Sequence, residues 1–159
     1  MYDSTIDANA HIVKIQYVIN NIIIPELTER AKNHDKSKLE SPEKETYDKY
    51  IPLLKKVKYG TPEYTKLKDE MAKTGVGHHY SVNRHHPEHF ENGIKDMTLI
   101  DVIEMFCDWY AASLRSDTGF MSGLSMNKDR YDISDELNQI FINTYNEYLK
   151  DRTEEVKKI

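Results

Sequence analysis

The chain has 159 residues, of which 38% are hydrophobic and 31% charged, and its formal net charge is −5. This length fits one domain with a substantial core, and the scattered basic residues argue against extended nucleic-acid binding. No apolar stretch is long enough to span a bilayer, and the first residues lack the basic and apolar regions of a signal peptide. Cys107 is the only cysteine, which excludes an intrachain disulfide and favours a cytoplasmic setting.

The first predicted helix covers residues 6–24, with Ser4 or Thr5 as its N-cap. Pro25 restarts the helix, which should run to about Asn33. The apolar residues of the first helix recur at helical spacing and share one face, which we expect to be buried. They are Ala8, Ile12, Ile15, Ile19, Ile22 and Ile23.

Two later segments begin helices in the same way. In Ser41-Pro42-Glu43 and in Thr61-Pro62-Glu63, a capping hydroxyl precedes a proline at the first helical position and an acid in the first turn. Tyr59-Gly60 predicts the break between these helices. Gly75 and Gly77 should then open an irregular segment that carries most of the histidines.

The C-terminal part predicts a long helix from about Thr98 to Ser116, a loop over residues 119–126, and a last helix over residues 134–152, capped by Ser134. No strand or repeat is indicated. The sequence therefore predicts an all-α fold.

Histidine is concentrated in one stretch of the chain. Five of the seven histidines lie between His78 and His89, in Gly-His-His-Tyr-Ser-Val-Asn-Arg-His-His-Pro-Glu-His. Imidazole is the commonest nitrogen ligand for transition metals, so the group favours a metal site. A solvated polar loop or hydrogen-bonded core histidines are the alternatives. His11, at the edge of the apolar face of the first helix, is either a further ligand or a histidine hydrogen-bonded at a helix crossing.

The helix predicted at 98–116 is apolar around most of its circumference. Its polar residues form a stripe roughly 60° wide at helical spacing. They are Asp101, Glu104, Asp108 and Arg115. A solvent-facing side is normally wider and richer in lysine, so these carboxylates should face an internal site, unless the helix is buried with one thin exposed edge. Asp108 is the best ligand candidate, and Glu104 is a second ligand, a general base or a group that orients a ligand.

Taken in chain order, these residues resemble the HD superfamily of metal-dependent phosphohydrolases. The pattern of that family is a histidine in an early helix, a His-Asp pair at the end of a following helix, and a later aspartate in another helix. His11, His34-Asp35 and Asp108 stand in those places. The resemblance implies one HD-like domain over residues 1–159, with its core at 6–116.

The pair continues as Asp35-Lys36-Ser37-Lys38, which is similar to the form found in members with two metals, including cyclic-dinucleotide phosphodiesterases. Those members also use histidine doublets, and this chain has two, at 78–79 and 85–86. The chain lacks the glutamate three residues after Asp35 that bacterial 5′-deoxynucleotidases of the superfamily use. The spacing of the doublets also differs from that of the cyclic-dinucleotide enzymes, so the resemblance leaves the substrate open.

The whole chain also resembles an uncharacterised family of small proteins from Gram-positive bacteria and their phages. The hallmarks of that family are His-Asp-x-Ser-Lys, His-His-Pro-Glu-His-Phe and Glu-Met-x-Cys-Asp-Trp. They are present here at 34–38, 85–90 and 104–109.

The HD resemblance implies a ligand set for one or two ions of manganese, iron, cobalt, nickel or zinc. One ion would be held by His11, His34, Asp35 and Asp108. Asp35 would bridge to a second ion held by His79, His85 and His86. Lys38 and either Arg84 or Arg115 would neutralise a phosphate, and His89 or Glu104 would protonate the leaving group.

We therefore expect a metal-dependent phosphohydrolase that attacks a nucleotide or related phosphate ester with a metal-activated water. A phosphodiesterase of cyclic dinucleotides, a di-iron oxygenase and a non-catalytic, metal-stapled nucleotide-binding protein are the alternatives. The expected partner is a small phosphate-bearing molecule, no membrane is expected, and a homo-oligomer remains open.

Overall fold

The computed structural model describes residues 3–58, 60–115 and 118–159. Every regular element in these residues is helical and none is a strand, so the chain is an all-α, single-domain protein, as predicted. No helix in the described part of the chain is both long enough and apolar enough to cross a membrane. Tyr59 and Ser116, which belong to a predicted break and a predicted helix end, lie outside the described residues.

The N-terminal helices form one continuous rod. Helix α1 (Thr5–Val18) passes through a π-helical turn (Ile19–Ile23) directly into α2 (Ile24–Asn33). Pro25 lies where the π-helical turn passes into α2, and its missing N–H leaves one hydrogen bond of the continuous helix unmade. The expected burial of the isoleucine face is wrong, because no residue of α1 is buried.

Helices α3 (Glu43–Leu54) and α4 (Pro62–Met71) follow, joined to α2 by a 3-10 turn at Lys36–Leu39. The predicted cap of α4 is confirmed, since the Thr61 side chain accepts a hydrogen bond from the backbone N–H of Tyr64. In α3, Pro42 rather than Ser41 occupies the N-cap position, and it supplies no capping side chain.

The sequence predicts an irregular segment after Gly75 and Gly77, but the structure is helical there. A π-helical turn (Ala72–Val76) leads into α5 (Gly77–Val82). Gly75 serves close packing rather than a break, because a Cβ atom there would lie 2.6 Å from Cβ of Thr46 on α3. The chain then leaves the helix and passes through two short 3-10 turns, Pro87–His89 and Gly93–Asp96.

The long predicted helix is α6 (Leu99–Ser113), which begins with a capping box between Thr98 and Asp101. The loop predicted at 119–126 is wrong, since these residues belong to α7 (Gly119–Tyr131). Ser134 caps α8 as predicted. The C-terminal elements are α8 (Asp135–Thr144), a π-helical turn (Tyr145–Leu149), a 3-10 turn (Lys150–Arg152) and α9 (Thr153–Val156).

The apolar core lies between α6, α7 and α8, in the C-terminal half of the chain. Its buried members are Met105, Phe106, Tyr110, Phe120, Leu124, Ile133 and Phe141. The Phe106 ring stacks on Phe141 with centroids 5.3 Å apart, and Trp109 stacks on Tyr131 at 5.8 Å. Leu99, the first residue of α6, lies outside this core and is 69% exposed. Helix α6 therefore presents its aromatic side to this core and leaves its acidic stripe for another use.

Candidate metal centre

Four imidazoles meet at the point where α2 ends, α5 passes and the loop after α5 begins. The ring centroids of His34 and His85 are 4.3 Å apart, those of His85 and His86 4.2 Å, and those of His79 and His86 4.7 Å. The Nε2 atoms of His79 and His86 approach to 2.8 Å. The structure thus brings the end of α2 together with α5 and the loop that follows it, although His34 and His79 are 45 residues apart in sequence.

Asp35 lies at the centre of this group. Its backbone is left-handed, with φ of 57°, a conformation that aspartate tolerates better than most residues and that reverses the chain after α2. Its Oδ1 atom lies 3.3 Å from Nε2 of His79 and 3.5 Å from Nε2 of His85. Its Oδ2 atom lies 3.5 Å from Nε2 of His34. One carboxylate therefore faces two sets of imidazoles.

The possible ligand atoms form three overlapping groups, and within each group all atoms lie within 4.8 Å of one another. The groups are Asp35 with His79, His85 and His86; His34 with Asp35 and Asp108; and His34 with His85 and Glu104. Nitrogen and carboxylate donors in this mixture suit manganese, iron, cobalt, nickel or zinc.

Two buried atoms at the centre have no hydrogen-bond partner. Among the described residues these are Oδ1 of Asp35 and Nε2 of His85, and both face the cluster. Such atoms normally find a partner, because leaving a buried polar group unpaired costs about 1–3 kcal/mol. A divalent cation would satisfy both at once, so the residues present fit a metal.

Glu104 contacts two of the imidazoles through their Nδ1 atoms, on the side away from the centre of the cluster. It lies 2.9 Å from Nδ1 of His34 and 3.2 Å from Nδ1 of His85, and it accepts a hydrogen bond of 2.6 Å from Nε of Arg30. These contacts keep the pKa of Glu104 well below its usual range, although burial opposes the shift. Glu104 therefore stays ionised and turns the Nε2 atoms of both rings toward the centre.

Glu43 does the same for the other side of the cluster. This fully buried carboxylate lies 2.8 Å from Nδ1 of His79 and 2.8 Å from Nδ1 of His78, and it accepts a hydrogen bond from the Ser37 hydroxyl at 3.0 Å. Burial opposes ionisation, but these donors lower the pKa of Glu43 below its usual value. Carboxylate–histidine pairs of this kind fix the tautomer of a metal-binding ring.

The electrostatics of the cluster favour a protonated ring at His34 and a neutral ring at His86. The Asp108 carboxylate, 3.6 Å from Nε2, and then the contact with Glu104 raise the pKa of His34 to about 10. Burial, together with the neighbouring His85 and His79, lowers the pKa of His86 to about 3. His86 is thus neutral at physiological pH, which is the form that donates a lone pair to a metal.

Asp101 holds Arg30, the arginine that contacts Glu104. It is 1% exposed and binds Arg30 at 2.7 Å, while Arg84 approaches its two oxygens at 3.0 and 2.9 Å. Arg30 bridges it to Glu104. The expectation that the acidic stripe of α6 faces the interior is confirmed for Asp101 and Glu104, and Asp108 lies half-buried beside His34.

The structure does not bring His11 to the cluster. His11 is exposed on α1, and the helix between it and His34 is continuous. At a rise of 1.5 Å per residue the two residues are about 35 Å apart along the rod. Within one chain, His11 therefore cannot bind the same ion as His34, which corrects the ligand set predicted from the sequence.

The other predicted site residues lie at different distances from the cluster. Lys38 forms an ion pair with Oδ2 of Asp35 and so stands beside the cluster, while its contact with a phosphate stays a prediction. The Nδ1 atom of His89 lies 3.2 Å from the Tyr80 carbonyl oxygen, outside the cluster. Arg84 is committed to Asp101 rather than to a phosphate, and Arg115 is exposed beyond the end of α6.

Sequence reasoning missed Glu43 and Arg30. Glu43 was interpreted only as an acid that stabilises a helix start, because one acidic residue in a first turn gives no sign of burial. Arg30 had a usable signal, since it lies four residues before His34 and therefore shares its face of α2.

A cavity of about 810 Å³ opens on one side of the cluster. His79 and His86 form part of its wall, and Lys38 lies at its edge with its Nζ atom 5.6 Å from the centre of the Tyr47 ring. The remaining charged and tyrosine residues of its lining are Lys55, Lys68, Arg130, Asp69, Tyr64 and Tyr80. Cations outnumber acids, so the cavity suits an anion that reaches the cluster.

A protein family of unknown function, DUF5662, matches residues 2–156, and the chain belongs to this family. No curated protein and no solved structure matches the chain.

Proposed function

We propose that this member of the DUF5662 family is a metal-dependent phosphohydrolase that acts on a nucleotide or a related phosphate ester. The observation that carries the proposal is the convergence of Nε2 atoms and carboxylate oxygens around Asp35, with two buried atoms left unpaired. The resemblance of the His34-Asp35 pair and Asp108 to the HD pattern supports the same reading.

The residues that would hold metal fall into two sets that share Asp35. His34 and Asp108 stand on one side of it, and His79, His85 and His86 on the other. When bound, one or two divalent ions would lower the pKa of a coordinated water toward about 7 and neutralise phosphate charge. Glu43 and Glu104 orient the rings, and both remain ionised. Glu104 is therefore assigned a positioning role and not that of an acid.

The cationic cavity is the natural substrate side of this centre. Lys38 is the cation nearest to the cluster, so its Nζ atom is placed to pair with a phosphate oxygen. Burial and then the charges of Glu43 and Asp35 raise the pKa of the Tyr47 hydroxyl to about 12, so the hydroxyl stays protonated and is able to donate a hydrogen bond. The tyrosines offer faces on which a base could stack.

The test compares two histidines of the same stretch. The purified protein is analysed for metal and then assayed against nucleoside monophosphates, triphosphates and cyclic dinucleotides. His85→Ala should lose metal and reduce hydrolysis by about 100-fold, because it removes both a ligand and the partner of Glu104. His89→Ala is the matched control and should keep the metal content and the activity.

Two further variants separate binding from catalysis. Asp35→Asn should release metal from the centre, because a neutral amide replaces the shared carboxylate. Lys38→Met should keep the metal and raise KM for the hydrolysed phosphate ester. The proposal fails if His34→Ala and Asp35→Asn keep full metal content and full activity, or if the metal-loaded protein hydrolyses none of the phosphate esters.

A further inference from the structure

The first 19 residues of the rod, 5–23, form an N-terminal arm with an uncovered apolar stripe. Ile12 is 50% exposed, Ile15 47%, Ile19 46% and Ile22 52%, although helical spacing places them on one side of the helix. Isoleucines in a regular stripe normally mark a packing face, and exposed single residues do not. The arm therefore lacks the surface that its sequence is built to contact.

A matching surface exists elsewhere on the same chain. A groove of about 480 Å³ runs between α2 and α6. Its apolar lining consists of Leu27, Ala31, Ile103, Cys107 and Ala111, and its polar lining consists of Arg30, His34, Glu104 and Asp108. Both walls are helices, so the groove has the shape that receives a third helix.

The arm cannot reach the groove of its own chain in this conformation. It continues α2 through the π-helical turn without a break, and α2 is itself one wall of the groove. The apolar stripe of the arm therefore lies beyond the end of its own groove and cannot fold back into it. Only the arm of another molecule can lie in the groove while the rod stays continuous.

We propose that two copies of this chain exchange arms, so that the arm of each copy packs in the α2–α6 groove of the other. Since one chain carries both surfaces, a single two-fold axis covers both pairs and leaves neither exposed. The groove is lined over residues 27–34 and 103–111, about 12 Å of helix, so it covers a little under half of the arm's length of roughly 28 Å. The two exchanged arms then bury on the order of 1,000 Å² in total, which is the lower end of the range for specific interfaces.

The exchange also explains the position of His11, in a way that rests on the proposed function. His11 lies at the edge of the isoleucine stripe, and His34 and Asp108 line the groove that receives it. An exchanged arm would therefore carry His11 of one copy toward the metal centre of the other.

The experiment uses Cys107, the only cysteine and a residue of the groove. Three variants, Ile12→Cys, Ile15→Cys and Ile19→Cys, are each oxidised gently and separated on a non-reducing gel. At least one should form a disulfide between chains, and adding Cys107→Ser should abolish it. Asn20→Cys, beside Ile19 on another side of the helix, is the control and should give no such dimer.

The solution mass gives an independent measure. The unmodified chain should sediment as a dimer, and the double variant Ile15→Asp/Ile19→Asp should sediment as a folded monomer with unchanged helical circular dichroism. A monomeric unmodified chain would overturn the proposal, as would disulfides that form only within one chain. Neither measurement depends on metal or turnover, so their failure is distinct from failure of the phosphohydrolase assignment.

Discussion

The two sides of α6 serve regions that are held together by different forces. Around Phe106 and Leu124 the interior is apolar and aromatic, with no charged member. Around Asp35 and His85 the interior consists of imidazoles and carboxylates, and buried atoms lack partners there. Apolar burial stabilises the first region by itself. The second buries charge that needs a compensating cation, so its stability depends on what it binds.

The largest expected effect tests the apolar region. Phe106→Ala should lower the free energy of unfolding by about 3–5 kcal/mol, because it removes a buried ring that packs on Phe141 and Phe120. Urea denaturation with and without a chelator measures the loss, which should be equal in both conditions. Tyr148→Ala, which truncates a 62% exposed ring, is the control and should change little. A loss that depended on the chelator would contradict the separation of the two regions.

Metal removal tests the polar region. At a free metal concentration 100 times Kd, the ion should add about 2.7 kcal/mol to stability, and chelation should remove it. Hydrogen exchange followed by mass spectrometry should then show faster exchange at 34–43 and 77–86 than in the metal-loaded protein. Amides between Phe120 and Phe141 should change little in the same samples. Uniform acceleration across both segments would show that the regions unfold as one unit.

Asp101 gives a pH dependence that needs no metal. Burial opposes the shift, but hydrogen bonds from Arg84, Thr98 and Arg30 lower the pKa of Asp101 to about 2, from a usual value of 3.8. Its contribution of about 2 kcal/mol is therefore complete above pH 4 and is lost as the pH falls from about 4 to about 2.

Asp101→Asn should have a free energy of unfolding that is lower by a similar amount at pH 7. Its stability should then fall less steeply than that of the unmodified protein as the pH falls from about 4 to about 2, the acid limb of the stability curve. Urea denaturation at a series of pH values measures both effects. Asp129→Asn, at an exposed position on α7, is the control and should keep the limb. An unchanged limb in Asp101→Asn would assign the acid sensitivity to other carboxylates.

The smallest effect concerns the orientation of the imidazoles. Glu43→Gln should weaken metal affinity by about tenfold, because the amide no longer fixes His79 as a carboxylate does. Calorimetric metal titration measures this change. Glu45→Gln, on the exposed side of the same helix, is the matched control. Equal affinities in the two variants would remove Glu43 from the metal centre.

The sequence predicted those parts of the fold that depend on local chemistry. The caps at Thr61 and Ser134 and the inward acidic stripe are set within a few residues, so spacing identifies them. Helix α7 was predicted as a loop because its glycines and serines favour turns. Phe120 and Leu124 hold it in helical form by packing into the core, and this tertiary contact overrides propensity.

The candidate site could be predicted only as a list of residue types. The order of residues along the chain correctly identified His34, Asp35 and Asp108 as neighbours in space. The histidine-rich stretch supplied the remaining candidate ligands. The role of Glu43 depends on burial, which one acidic residue does not reveal. The apolar face of α1 was also correctly identified, but periodicity says which side of a helix is apolar and not what covers it.

The position of Trp109 has a practical consequence. This only tryptophan follows Asp108 directly, and its indole stacks on Tyr131 at the boundary between the two regions. Any ion that pulls on the Asp108 carboxylate also moves the backbone that carries the indole. The intrinsic fluorescence of the protein should therefore report whether an ion occupies the metal centre. This measurement needs neither a label nor knowledge of the substrate.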